Sequence, residues 1–185
     1  SEELDSLEVG LRGSYERLGY ELAVYRMNKD NFIFRDSSRT NVDNGKTEHQ
    51  GVELALNFAW SGSIHSEFNW SYAVHQYANN PPLATTPIDG NDIDTAPRNI
   101  GSANILWQYS EGGRVELEWT HLGEYFEDPG NQHPYEGHDL VNLRWAMEVS
   151  ATWQVGARII NLTDKAYAER ADFAFGNDRY FVGEP

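Results

Sequence analysis

The 185-residue sequence predicts an all-β fold: an antiparallel, up-and-down transmembrane β-barrel segment of about eight strands, with tight turns on one rim and long loops on the other. Three observations predict it. Apolar residues recur at every second position in eight stretches, where a helix would space them at three and four. The links between these stretches run short, then long, then short again, as hairpins do when one rim of a barrel turns tightly and the other carries loops. Aromatic rings (Tyr15, Tyr20, Trp60, Tyr109 and Trp153) flank the short links, and amphipathic rings settle at the headgroup level of a bilayer.

The first strand sets Leu7, Val9 and Leu11 against Glu8, Gly10 and Arg12. Leu18-Gly19 is read as a tight reversal, because glycine accepts a positive φ without strain. Tyr20, Leu22 and Val24 open the second strand, which runs to Phe34, and the polar stretch Ser37 to Glu48 reads as the first long loop. Val52, Leu54, Leu56, Phe58 and Trp60 alternate with Glu53, Ala55, Asn57 and Ala59 in the third strand. After Ser61-Gly62-Ser63, the fourth sets Phe68, Trp70, Tyr72 and Val74 against Glu67, Asn69, Ser71 and His75. Asn79 to Asn99, rich in proline and aspartate, is the second long loop.

Ala103, Ile105 and Trp107 then alternate with Ser102, Asn104 and Gln108, and Ser110 to Gly113 turns the chain into Val115, Leu117 and Trp119. Glu127 to His138 is the third long loop. Val141, Leu143, Trp145, Met147 and Val149 face away from Asn142, Arg144, Ala146 and Glu148. Ser150-Ala151-Thr152 leads into Trp153, Val155, Ala157 and Ile159, and a fourth long polar segment follows Asn161. The outward set predicted from this pattern includes Leu54, Leu56, Phe58, Leu143, Trp145, Val155 and Ala157. Asn57, Glu67, Arg144 and Arg158 belong to the concave side.

A formal charge of −15 argues against a nucleic-acid partner, which needs clustered Lys and Arg. Without cysteine there is neither a disulfide framework nor a thiolate metal site. No apolar run of about 18 residues forms a membrane helix, whereas a barrel strand needs only about ten weakly alternating residues. No cofactor or metal site is assigned. His133 and His138 with Glu136 and Asp139 match no zinc spacing. Asp89, Asp92 and Asp94 lack the glycine and the bidentate glutamate of a calcium loop. No nucleophile elbow, phosphate loop or zinc-protease helix occurs, so the sequence does not read as an enzyme.

The stretch Ala157-Arg158-Ile159-Ile160-Asn161-Leu162-Thr163-Asp164-Lys165-Ala166-Tyr167 resembles the C-terminal signature of TonB-dependent outer-membrane receptors. Gly183-Glu184-Pro185 resembles the element that leads into the family's last strand. Leu7 to Arg12, Gly45 to Glu53 and Ala96-Pro97-Arg98-Asn99 look like further landmarks in the family's order. The resemblance implies a barrel of about 22 strands closed by an N-terminal plug. It also implies a Gram-negative outer-membrane location, lipid around the wall, and TonB acting through the plug. The implied ligand is scarce, most often a ferric siderophore. Residues 1–185 are then expected to be a partial barrel domain without plug or final strand. Two other readings stay open: a complete small eight-stranded barrel acting as an anchor or adhesin, and a soluble carbohydrate-binding β-sandwich.

On the receptor reading, ligand contact comes from the loops and upper lumen. His75, Tyr77, Tyr125 and Phe126 lie at strand ends beside long loops, and Arg98 lies within one. Arg144 and Arg158 point into the lumen, where they meet an anionic chelate. The alternative is that they pair with Glu53, Glu67, Glu116 or Glu148, or contact the plug.

Overall fold

A computed structural model describes residues 2–35, 41–81 and 86–183. Every regular element among them is a strand: β1 (Glu3–Tyr15), β2 (Leu18–Arg35), β3 (Asn41–Ala59), β4 (Ile64–Tyr77), β5 (Asn99–Gln108), β6 (Gly113–Leu122), β7 (Tyr125–Phe126), β8 (Pro134–Tyr135), β9 (His138–Ser150), β10 (Trp153–Ile159), β11 (Ala168–Ala174) and β12 (Asn177–Val182). Eight of these form one sheet in the order β1-β2-β3-β4-β5-β6-β9-β10, and β7-β8 and β11-β12 form two separate two-stranded sheets. All pairings are antiparallel. The main sheet is therefore a sequential meander, open between its edges β1 and β10. That openness removes the closed small barrel, and the exposed apolar face of the main sheet removes the sandwich, in which apolar faces meet each other.

Register puts the expected sets on opposite faces. One row runs through Phe58, Ser66, Ile105, Leu117, Leu143 and Ile159. The adjacent row of opposite parity runs through Asn57, Glu67, Asn104, Glu118 and Asn142. Polar side chains in that second row bond laterally: Asn142 Nδ2 donates to Glu118 Oε2 at 2.9 Å. Glu8, Arg12, Glu21, Glu53, Asn69 and Thr120 border a concavity of about 1060 Å³, which identifies the polar face as the hollow side. On the other face Leu7, Val9, Leu11, Val52, Leu117 and Val155 are exposed, as a lipid-facing surface requires. The aromatic row at the short turns forms its own contacts. Trp145 Nε1 donates to the Tyr109 hydroxyl at 2.8 Å, and Phe58 meets Trp60 edge-on at 4.6 Å.

Three local expectations change. The first turn is Glu16-Arg17, because Tyr15 pairs with Leu18, and Glu16 itself takes φ 50°. Leu18-Gly19 lies inside β2, where Gly19 pairs with Asn57. Asn41 to Glu48, read as loop, belongs to β3 and pairs with β2; residues 36–40 fall outside the described residues. The reason is physical. Past the bilayer a strand meets water on both faces, so alternation fades while pairing persists, here helped by Lys46–Asp30 (3.0 Å) and Arg26–Glu48 (3.6 Å).

The segment after Asn161 is likewise not irregular throughout, since it contains the β11-β12 hairpin. The third loop also carries a short hairpin, β7-β8. These two hairpins hold the apolar core cluster, formed by Tyr125, Tyr135, Ala168 and Ala171 with Leu122 packed against it.

Candidate functional site: the lumen face and its mouth

At the loop ends of β3 and β4 the hollow face carries a histidine pair. His49 and His75 are register partners, and their Nδ1 atoms lie 2.8 Å apart. His49 Nε2 meets the hydroxyl of buried Thr47 at 2.9 Å. Two residues further along β4, the Tyr77 hydroxyl donates to Asp94 at 2.6 Å, and both groups are largely removed from water. Burial pushes the Asp94 carboxyl above its ordinary range. The loop returns beside β4 through backbone bonds from Tyr77 N to Asn91 O and from Ile93 N to His75 O. Arg98 grips Asp92 with two bonds, Nε–Oδ2 and Nη2–Oδ1, each 2.8 Å. That contact holds the Arg98 guanidinium above its usual value.

The same loop is stitched to the next one. Asn131 Oδ1 accepts from Asp92 N, and Asn131 Nδ2 donates to Asp92 O. Asp128 organises its own turn by accepting from the backbone of Gly130, Gln132 and His133. Tyr125 and Tyr135 then anchor the β11-β12 hairpin. Each hydroxyl accepts from and donates to one backbone unit, Ala171 for Tyr125 and Ala168 for Tyr135, at 2.8–3.1 Å. Burial raises the Tyr125 phenol. His133 stacks on Phe173 at 3.8 Å and lies 2.9 Å from Asp178.

Glu127 sits at this junction, only 2% exposed. Neither of its carboxylate oxygens has a well-formed hydrogen bond among the described residues, although the Tyr180 phenol interacts with it. Burial first, and the Asp178 charge second, push its pKa upward, while His133 opposes the shift.

The entry to that hairpin explains the sequence signature. Asn161 takes φ 52°, accepts from Lys165 N through Oδ1 and donates to Lys165 O through Nδ2. Its own amide bonds Asn142 of β9. Only a short amide side chain that tolerates the left-handed region can do all three. Further on, a Cβ at Gly183 would overlap the Tyr167 ring, so glycine is what the close approach requires. Glu184 and Pro185 lie outside the described residues.

Toward the short-turn rim, Arg144 and Arg158 are register partners on the hollow face. With Arg114 and Glu116 they line a hollow of about 340 Å³. Arg144 pairs with Glu118 at 3.1 Å and Glu116 at 3.6 Å, partly as the pairing alternative anticipated. Arg158 makes no ion pair among the described residues.

The seven sequence-derived candidates thus fall into three places. His75, Tyr77 and Arg98 stand at the mouth, Tyr125 and Phe126 under the hairpin, and Arg144 and Arg158 in the lower lumen. Phe126 contributes its carbonyl to Thr95 N. Sequence reasoning missed His49 and Arg114. Their alternation was visible, but only the register shows which residue each one faces.

The family model described as "TonB dependent receptor-like, beta-barrel" matches residues 1–162. Among solved structures, the ferric yersiniabactin uptake receptor FyuA from Yersinia pestis superposes with a TM-score of 0.84 at 16% identity, covering 98% of this chain and 28% of that one. The ferric citrate transporter FecA in its unliganded form gives 0.82 at 16% identity, covering 98% and 29%. A curated relative, purine nucleoside phosphorylase from Mycobacterium leprae (strain TN), is 30% identical over 125 residues, which are 68% of this chain and 38% of that protein. The chain therefore spans under a third of the matched receptors and well under half of the phosphorylase. It belongs to the TonB-dependent receptor-like β-barrel family, of the outer membrane of Gram-negative bacteria.

Proposed function

We propose that this chain is a partial barrel domain: wall and mouth of an outer-membrane receptor that takes up a ferric siderophore or similar iron chelate, energised by TonB through a plug domain. The observation that carries the reading is the open eight-stranded meander, apolar outside and polar inside, in a chain whose family match covers residues 1–162. FyuA takes up ferric yersiniabactin and FecA transports ferric citrate, which supports an iron chelate here.

The chain is not read as an enzyme, because the phosphorylase relation covers 38% of that protein and the family is one of receptors. Within the candidate set, Arg158 is the residue best placed to meet an anionic chelate, since Arg98 and Arg144 are neutralised by carboxylates. Tyr77 and Tyr125 spend their hydroxyls on Asp94 and Ala171, so their role is to shape the mouth.

The test is uptake of radiolabelled ferric siderophores by iron-starved cells with and without this receptor, in the presence and absence of TonB. Uptake lost in both deletions supports the proposal. Uptake of every chelate unchanged by deleting the receptor overturns it.

A further inference from the structure

Three arginines of the lower lumen border one hollow. Arg144 on β9 and Arg158 on β10 are register partners, and like charges placed directly opposite each other repel. Arg114 on β6 is opposite Ala146, which makes it a diagonal neighbour of Arg144, within reach of a long side chain. Ala146 in turn pairs with Gly156. The row beside the Arg144–Arg158 pair therefore holds two of the smallest residues, and these leave the room that the arginines surround.

The positive charge is not balanced on the spot. Arg144 is held by Glu118 at 3.1 Å and Glu116 at 3.6 Å, whereas Arg114 and Arg158 make no ion pair among the described residues. Glu116 is the one carboxylate that lines the hollow of about 340 Å³, against three guanidiniums. Glu148 stands beyond Arg114 and lines a separate, smaller hollow. This local surplus of positive charge arises in a chain whose formal charge is −15.

The chemistry of the lining selects the ligand. A guanidinium fork meets a carboxylate through two parallel hydrogen bonds, and it stays charged at every working pH. Arg114 and Arg158 flank Arg144 from opposite sides, so one carboxylate cannot satisfy both, whereas two carboxylates on a short carbon chain can. The volume lies at the low end of the range for small-molecule sites.

We propose that Arg114, Arg144 and Arg158 form a binding site for a small polycarboxylate in the lower lumen, next to the short-turn rim. The proposal deepens the receptor reading and rests on it for the origin of the anion: the cargo class it favours is a chelate that carries free carboxylates, over a neutral one.

The test is isothermal titration of the whole receptor, purified in mild detergent at low ionic strength, with propane-1,2,3-tricarboxylate. Its neutral triamide and propionate serve as comparisons. The titration needs neither iron nor TonB, so its failure strikes the site, while a failure of uptake strikes the receptor reading. One equivalent of the tricarboxylate should bind, more weakly as salt is added, and the triamide should not bind. Arg114→Gln and Arg158→Gln should each weaken binding at least about tenfold. Arg158→Lys, which keeps the charge but loses the fork, should weaken it less. Arg12→Gln removes a lumen arginine already paired with Glu21 and should leave binding unchanged. Heat-modifiable mobility confirms that each variant is a folded barrel. Wild-type receptor without saturable binding overturns the proposal. So does propionate binding as tightly as the tricarboxylate, or an Arg114→Gln/Arg158→Gln double variant that binds like wild type.

Discussion

The barrel wall and the cap of paired hairpins at its mouth are built on opposite terms. The wall, β1 to β6 with β9 and β10, is held by backbone ladders and leaves its apolar side chains uncovered. Leu7 is 71% exposed and Val149 63%. The cap, β7-β8 with β11-β12, buries Tyr125, Tyr135, Ala168 and Ala171 against one another, together with Glu127, Asp128 and Asp172. The wall borrows its apolar solvent from the membrane, whereas the cap, standing in water, must provide its own. Polar groups therefore cost little in the wet lumen, but in the cap each one needs a partner.

The sharpest way to break that contrast is to charge the wall's outer face. Leu143 lies midway along β9 between Leu117 and Ile159, so Leu143→Arg should cost about 2–4 kcal/mol of membrane assembly, while Asn142→Arg on the lumen face should cost little. Heat-modifiable mobility after outer-membrane extraction reads both, and equal losses would mean that the outer face does not meet lipid.

Next in size is the cap. Tyr125→Phe removes the hydroxyl that satisfies both Ala171 N–H and C=O, leaving two buried groups unpaired at about 1–3 kcal/mol. Faster amide exchange across β11-β12, with β9-β10 unchanged, is the expected outcome.

A smaller, conditional effect comes from Glu127. Its pKa is raised in the docked cap, so docking favours the protonated acid. The contribution of Glu127 to docking is therefore fully present at low pH and is lost as pH climbs from its ordinary value of 4.5 through the raised one. Glu127→Gln should flatten that slope, as read by limited proteolysis of the hairpin across pH. A slope equally steep in the variant would place the titration elsewhere. Smallest of all, Arg144→Gln should change unfolding by under about 1 kcal/mol, because its bridges to Glu116 and Glu118 are half exposed to the lumen. A larger loss in a thermal melt would show that the lumen is drier than its side chains imply.

The same contrast explains what the sequence could disclose. Period-two alternation exists because one face meets lipid, so Val141 to Val149 announced a strand, its register parity and its faces. Where both faces are wet, as from Asn41 to Glu48, the signal vanished although the pairing continued. Turn chemistry misled by two residues at Leu18-Gly19, because Glu16, with no glycine's advantage, takes the left-handed conformation.

The cap was opaque for another reason. Ala168 to Ala174 has no lipid to write a pattern against, and its partners sit in a loop far upstream. At the candidate site, the pairing of Arg144 with Glu116 followed from strand order, while His49 opposite His75 needed the register itself.

The Tyr125 and Tyr135 anchors also fix a sequence of events. Wall strands pair with near neighbours, so hairpins can zip one after another, but the anchors join residues 46 and 33 positions apart. That closure must wait for β9 and β10 to be laid down. The cap is thus a late-closing part of this segment, whose contacts of long sequence separation form on a wall already paired between near neighbours.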